Sequence, residues 1–212
     1  LLDMLESYNP HCQKCERLSN FLKKVKKENA SYFCKPVPAF GDKIGQLLIV
    51  GLAPGMHGAN RTGRPFTGDY AGVSLYENLY KYGFSNQATS ISINDHLKLN
   101  NCQITNAVKC LPPQNKPIGS EINNCNTYLQ KEISELKTDS IILTLGGIAH
   151  RAVIKSLNLR QADYKFGHGN EFNINNFRLI NSYHCSRYNL NTKRLTLAMF
   201  EQIFERISYL LR

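Results

Sequence analysis

Segment 51–69, GLAPGMHGANRTGRPFTGD, concentrates residue types that can do chemistry. Its glycines, Gly51, Gly55, Gly58, Gly63 and Gly68, allow sharp turns and close approach of backbone to a ligand. Among them stand one aromatic ring, Phe66, two guanidinium groups, Arg61 and Arg64, and one carboxylate, Asp69. A ring in such a loop can anchor the packing or stack on a planar base. The arginines can hold a phosphate. Asp69 can steady a cation or orient a water, or it can simply pair with a nearby arginine. The spacing Gly58-x-x-x-x-Gly63 is that of a phosphate loop, but Arg64-Pro65 follows where that motif needs Lys and then Ser or Thr. Two further polar groups stand out. Asn106 interrupts the apolar run ITNAV, and a buried amide left unpaired costs ~1–3 kcal/mol. Its partner is either structural or a base edge, because an amide both donates and accepts. His184 lies in YHCSRYN, just past another apolar run. His57 and His168 are candidates to help line the same site, whereas His150 falls within a helical pattern.

Seven cysteines are present: 12, 15, 34, 102, 110, 125 and 185. The number is odd and no export signal is evident, so reduced thiols or metal ligation are expected rather than a disulfide framework. Cys12-x-x-Cys15 has ligand-pair spacing. Together with Cys110 and Cys125 it makes a four-thiolate site plausible, for zinc or for a 4Fe–4S cluster. Cys125 also falls on a helical core face and can be read as a packed thiol.

The elements that must position these groups follow from hydrophobic patterning. Four short apolar runs, 47–50, 104–108, 141–145 and 179–183, are continuous rather than alternating, as expected of buried parallel strands. Helical spacing follows each. Leu75, Tyr76, Leu79 and Tyr80 share a face that Gly83 can close. Ile122, Cys125, Leu129, Ile133 and Leu136 form a second stripe, with Ser120 as candidate cap and Glu121 placed for the dipole. Ile148, Ala152 and Val153 form a third, and Met199, Phe200, Ile203, Phe204, Ile207, Leu210 and Leu211 a fourth. Upstream, Cys15, Leu18, Leu22 and Val25 predict a helix ringed by Lys14, Arg17, Lys23, Lys24, Lys26 and Lys27, and 34–42 is an extended connector. Strand–helix alternation predicts an α/β domain with a largely parallel sheet. In such sheets ligands bind at the carboxyl ends of the strands. Those ends are the loops at Gly51, Cys110, Gly146 and His184, with Asn106 at the end of the second run.

The chain has 212 residues, 42% of them hydrophobic, which suits one domain over 1–212. No window approaches the ~18 consecutive apolar residues of a membrane span. The formal charge is +10, which favours a polyanionic partner.

Segment 51–69 is very similar to the first motif of the family 5 (B-type) uracil-DNA glycosylases. PVPAFGD at 36–42, ITNAVKCLPPQNKP at 104–117, the early CxxC, FGHG at 166–169 and YHCSRYNLNTKRLT at 183–196 resemble the same family in order. Family 4 enzymes share the outline. The resemblance implies a three-layer α/β sandwich with a central four-stranded parallel sheet, and an N-terminal cluster-binding segment, 11–42. It implies that Cys12, Cys15, Cys110 and Cys125 ligate a 4Fe–4S cluster. It further implies hydrolysis of the N-glycosidic bond of uracil, or of hypoxanthine and other deaminated bases, in DNA.

Carried over by position, Phe66 matches the ring that stacks on the flipped base and Asn106 the reader of its edge. His184 matches the histidine acting on the departing base. Gly51, Leu52, Ala53, Pro54 and Gly55 match the backbone wall beside sugar and water, with His57 adjoining. Arg61, Arg64, Ser186, Arg187 and Tyr188 are expected to contact DNA, and Arg187 or Tyr188 to fill the gap left in the helix. Leu52 stands where family 4 has Glu, as is usual in family 5, and two departures stand out: Gly55 replaces a frequent Ala, and Cys185 replaces the Pro of His-Pro-Ser. Losing that proline predicts a less rigid loop. The expected protein is monomeric, bacterial or archaeal, cytoplasmic and nucleoid-associated. The rival readings are a catalytically silent DNA-binding module and a zinc-dependent nucleoside or nucleotide hydrolase.

Overall fold

The computed structural model describes residues 8–212. A mixed six-stranded sheet forms its centre, in the order β1-β3-β2-β4-β6-β5. The parallel strands are β2 (Leu47–Gly51), β3 (Cys102–Asn106), β4 (Ser140–Leu145) and β6 (Phe177–Ser182). They are the four anticipated runs, with ends shifted by a residue or two. Expecting only these four was incomplete. β1 (Phe40–Gly41) and β5 (Glu171–Ile174) add antiparallel edges. β1 spans two residues, and β5 is mostly exposed, so neither leaves an apolar run to read.

Each buried strand sends alternate side chains to opposite faces. Leu47, Ile49, Ile104, Leu143 and Ile180 point to one face, packed beneath α3 (Tyr70–Lys81) and α7 (Leu197–Leu210). Leu48, Val50, Ile142 and Leu179 point to the other, beneath α4 (Gly119–Ser134) and α5 (Gly147–Ser156). The result is three layers. Two short helices, α2 (Ala59–Thr62) and α6 (Arg187–Asn191), lie in the loops beyond β2 and β6. The chain steps from β2 to β3 on one side, then back across β2 to β4 on the other. That reversal opens a crevice at the carboxyl ends of the strands.

Two local expectations are corrected. Ile118, not Ser120, is the N-cap of α4, and the Glu121 carboxylate accepts the Ile118 N–H at 2.9 Å. Tyr80 is exposed rather than part of the buried stripe of α3. The lysine-rich helix α1 (Glu16–Glu28) buries Leu18, Leu22 and Val25. Among the described residues no helix is long and apolar enough to cross a membrane.

Candidate active site

A cavity of about 440 Å³ opens at the carboxyl ends of the strands, lined by Leu52, Phe66, Asp69, Asn106 and His184, among others. Parallel register sets Gly51 opposite Asn106. A Cβ on Gly51 would stand 2.4 Å from Asn106 Oδ1 and 2.7 Å from Phe66 Cζ, so only glycine leaves amide and ring in place. Asn106 is 3% exposed, and among the described residues its side-chain amide makes no hydrogen bond within the protein. What exposure it has opens onto the cavity, where an amide can both donate and accept.

Phe66 has a left-handed backbone, φ 52°, which is strained for a bulky residue and persists only where its surroundings enforce it. Gly72 is one such constraint: a Cβ there would stand 1.9 Å from the Phe66 carbonyl oxygen. The Phe66 ring lies 5.9 Å from the His184 ring, at an interplanar angle of 26°. Burial pushes the His184 imidazole down to about 4, so it is neutral at physiological pH.

Asp69 lines the cavity and also caps α3, accepting the Gly72 N–H at 3.0 Å. Burial raises its carboxyl above the usual range, opposed in part by the N–H groups of Gly72 and Ala71. Among the described residues it forms no ion pair with an arginine.

The loop after His184 is braced without proline. The buried Cys185 thiol donates to the Ala71 carbonyl at 3.4 Å, Asn189 donates to the His184 carbonyl at 2.8 Å, and Ser186 caps α6. These bonds tie the loop where the family motif has its proline. Ser186 and Arg187 reach the cavity. Arg187 also lies over the Tyr70 ring, 4.7 Å from its centroid, and Tyr188 is 73% exposed.

Arg64 is not a phosphate ligand. It is 3% exposed, donates to Thr67, Ser90 and Asp95, and lies over Phe40. Its ion pair with Asp95, at 2.5 Å, fastens the 90–95 loop beside the first motif. Arg61 stays exposed, its Nε on the His57 carbonyl. His57 lies outside the cavity and hydrogen-bonds Tyr32 at 2.8 Å. His168 is also outside it, accepting the Tyr183 N–H. His150 is buried and structural, bonded to Asn181 and the Tyr164 carbonyl. Gly51 and Pro54 support the wall, while Leu52, Ala53 and Gly55 line it. Sequence reasoning missed Tyr70, the neighbour of Asp69, and Asn115, whose place in LPPQNKP after β3 was the available signal.

Cys12, Cys15, Cys110 and Cys125 come together at a second cavity walled by Leu18, Pro36, Val108 and Tyr128. All four are free thiols. Burial, then the charges of the other three cysteines, pushes the Cys110 thiol far up. Burial outweighs Lys109 to raise Cys125 to about 11. Its sulfur accepts the Lys109 N–H at 3.2 Å, and Cys15 accepts from Asn124 at 3.5 Å. Among the described residues no three Cys, His, Asp or Glu side chains are grouped to hold a single metal ion. Four soft sulfurs around one pocket, with N–H donors on two of them, fit a multi-atom cationic group that would hold them as thiolates.

Residues 38–208 match the Uracil DNA glycosylase superfamily. A Type-5 uracil-DNA glycosylase of Pyrobaculum aerophilum is 39% identical over 200 residues, covering 92% of this chain and 87% of that protein. Its Thermus thermophilus counterpart is 39% identical over 198 residues, covering 91% and 90%. A Type-4 uracil-DNA glycosylase of Saccharolobus solfataricus is 28% identical over 214 residues, covering 98% and 87%. With its layered fold, its strand-end cavity and these relatives, the chain belongs to the uracil DNA glycosylase superfamily.

Proposed function

We propose that this protein hydrolyses the bond between uracil and deoxyribose in DNA, acting on a nucleotide flipped into the cavity beside Phe66. The observation that carries the reading is the Asn106 amide: on a residue nearly fully buried, facing the cavity, and without a protein partner among the described residues. A base edge offers the donor and acceptor it needs. Extrusion costs a few kcal/mol. Stacking on Phe66 returns ~1–3 kcal/mol of this. Arg61, Ser186, Arg187 and Tyr188 hold the strand, and Tyr188 or Arg187 occupies the vacated place in the duplex.

As the glycosidic bond breaks, its electron pair leaves with the base and positive charge develops on the sugar. The neutral His184 imidazole donates a hydrogen bond to the base oxygen that gains charge. One such donor is worth ~3–4 kcal/mol. Asp69, fixed by its capping bond, faces the sugar cation with a carboxylate. Water then adds to the sugar carbon, and its proton goes to the departing uracil anion, which leaves as neutral uracil. Leu52 supplies no base, so the donors and the carboxylate carry the chemistry.

Cys12, Cys15, Cys110 and Cys125 would hold a 4Fe–4S cluster. Bound there, it would tie α1 to the loop after β3 and to α4. Gly55 leaves extra room, which favours acceptance of hypoxanthine as well as uracil. The test is a release assay with duplexes carrying uracil, hypoxanthine, xanthine or normal bases, the free base being measured by mass spectrometry. Uracil release is expected. Binding without release of any base would instead support the silent-module reading.

A further inference from the structure

α1 carries more positive charge than its own fold uses. Lys23, Lys26 and Lys27 project along one side of it, and Lys35 projects from the segment opposite. Between them lies a groove of about 450 Å³, with His11 and Pro36 among its walls. Among the described residues no carboxylate lines it. Lys26 donates to the Ala30 and Tyr32 carbonyls. Lys23, Lys27 and Lys35 have no acidic partner among the described residues. By contrast, Lys24, which does not line the groove, pairs with Glu28 at 4.0 Å. Four like charges around one groove repel one another, and a polyanion relieves that repulsion.

The groove is joined to the base cavity. Phe33 and Cys34 donate their N–H groups to the carbonyls of Arg61 and Asn60, both at 3.1 Å. Those residues belong to α2, whose Ala59 lines the base cavity. Met56 packs onto Leu22, Val25 and Cys34 from the same loop. The exposed Arg61 lies on this connection.

We propose that the groove between α1 and segment 34–36 holds the sugar–phosphate backbone of DNA outside the flipped nucleotide, through Lys23, Lys27 and Lys35. This rests on the glycosylase reading for its partner, but its test does not depend on catalysis. Binding of the purified full chain to a 25-base-pair duplex is measured by anisotropy between 50 and 200 mM salt. Each phosphate contact contributes about 0.9 to the slope of log affinity against log salt. The triple variant Lys23→Gln/Lys27→Gln/Lys35→Gln should lower that slope by roughly 2–3. Lys24→Gln should leave it unchanged. In parallel, a trinucleotide with central deoxyuridine reaches the base cavity alone, and the triple variant should cleave it at the wild-type rate. Unchanged slope and affinity in the triple variant would overturn the proposal, as would an equal effect from Lys24→Gln. Failure of wild type to release uracil from any substrate would sink the glycosylase reading and leave the binding comparison intact.

Discussion

Gly51→Ala tests the base pocket with one methyl group. The added Cβ would stand 2.4 Å from Asn106 Oδ1, 2.7 Å from Phe66 Cζ and 2.8 Å from Phe66 Cε2. Ordinary contact begins at 3.4 Å. The amide must therefore retreat by about 1 Å and the ring by rather less, and a misplacement of that size can slow an enzyme ~100-fold. Overpacking of this kind costs ~1–3 kcal/mol. For a chain of this length that lowers Tm by roughly 2–12 °C. The assay is single-turnover uracil release at a temperature well below the variant's Tm, with binding to undamaged duplex as control. The expected result is a fall in release of about two orders of magnitude, with duplex binding nearly unchanged. A folded variant that releases uracil at the wild-type rate would refute the placement of the base against Asn106 and Phe66.

Three further outcomes follow from the same geometry. Asp95→Ala leaves Arg64 buried and unpaired, so stability should fall by ~3–5 kcal/mol in a denaturant titration, and Arg64→Met in the same chain should restore much of it. Burial would raise the Asp95 carboxyl, but Arg64 and the N–H groups of Ile91, Leu97 and Ser92 outweigh it and hold it well below the usual range. Its contribution is present above the unfolded value of about 3.9 and is lost as pH falls further, so wild type and Asp95→Ala should converge in strong acid. His184 titrates near 4 in the folded chain and near 6.5 unfolded; its burial therefore weakens the fold as pH drops across that window, and in Asp69→Asn, where the raised carboxyl no longer contributes, the residual pH–rate profile should fall near 4 rather than near 6.5. Asp69→Asn keeps a capping acceptor and removes the charge, so Tm should hold while release slows; Asp69→Ala should also lose ~0.5–2 kcal/mol of stability. Equal release by Asp69→Asn and wild type would remove the carboxylate from the mechanism.

Much of this was legible in the chain itself, for physical reasons. A parallel strand covered on both faces must be apolar throughout, so LLIV, ITNAV, IILTL and LINSY stood out. Asn106, Phe66 and His184 stood out because each breaks a local pattern at a strand end, and all three line one cavity. Edge strands escaped because a two-residue pairing or an exposed strand needs no apolar signature. Arg64 was misread because its partner, Asp95, is 31 residues away, and nothing local marks an arginine as buried. His57 shares the motif but turns outward to Tyr32, a direction that spacing does not encode. The Cys185 bond to Ala71 was not legible because it crosses 114 residues.

The most direct measurement is a crystal structure of this protein bound to duplex DNA carrying 2′-fluoro-arabino-deoxyuridine, whose fluorine disfavours the sugar cation and slows cleavage. The account predicts the uracil ring extrahelical and stacked on Phe66, its edge hydrogen-bonded to the Asn106 amide and an oxygen within reach of His184. A uracil left stacked in the duplex, or seated where Asn106 remains unpaired, would contradict it.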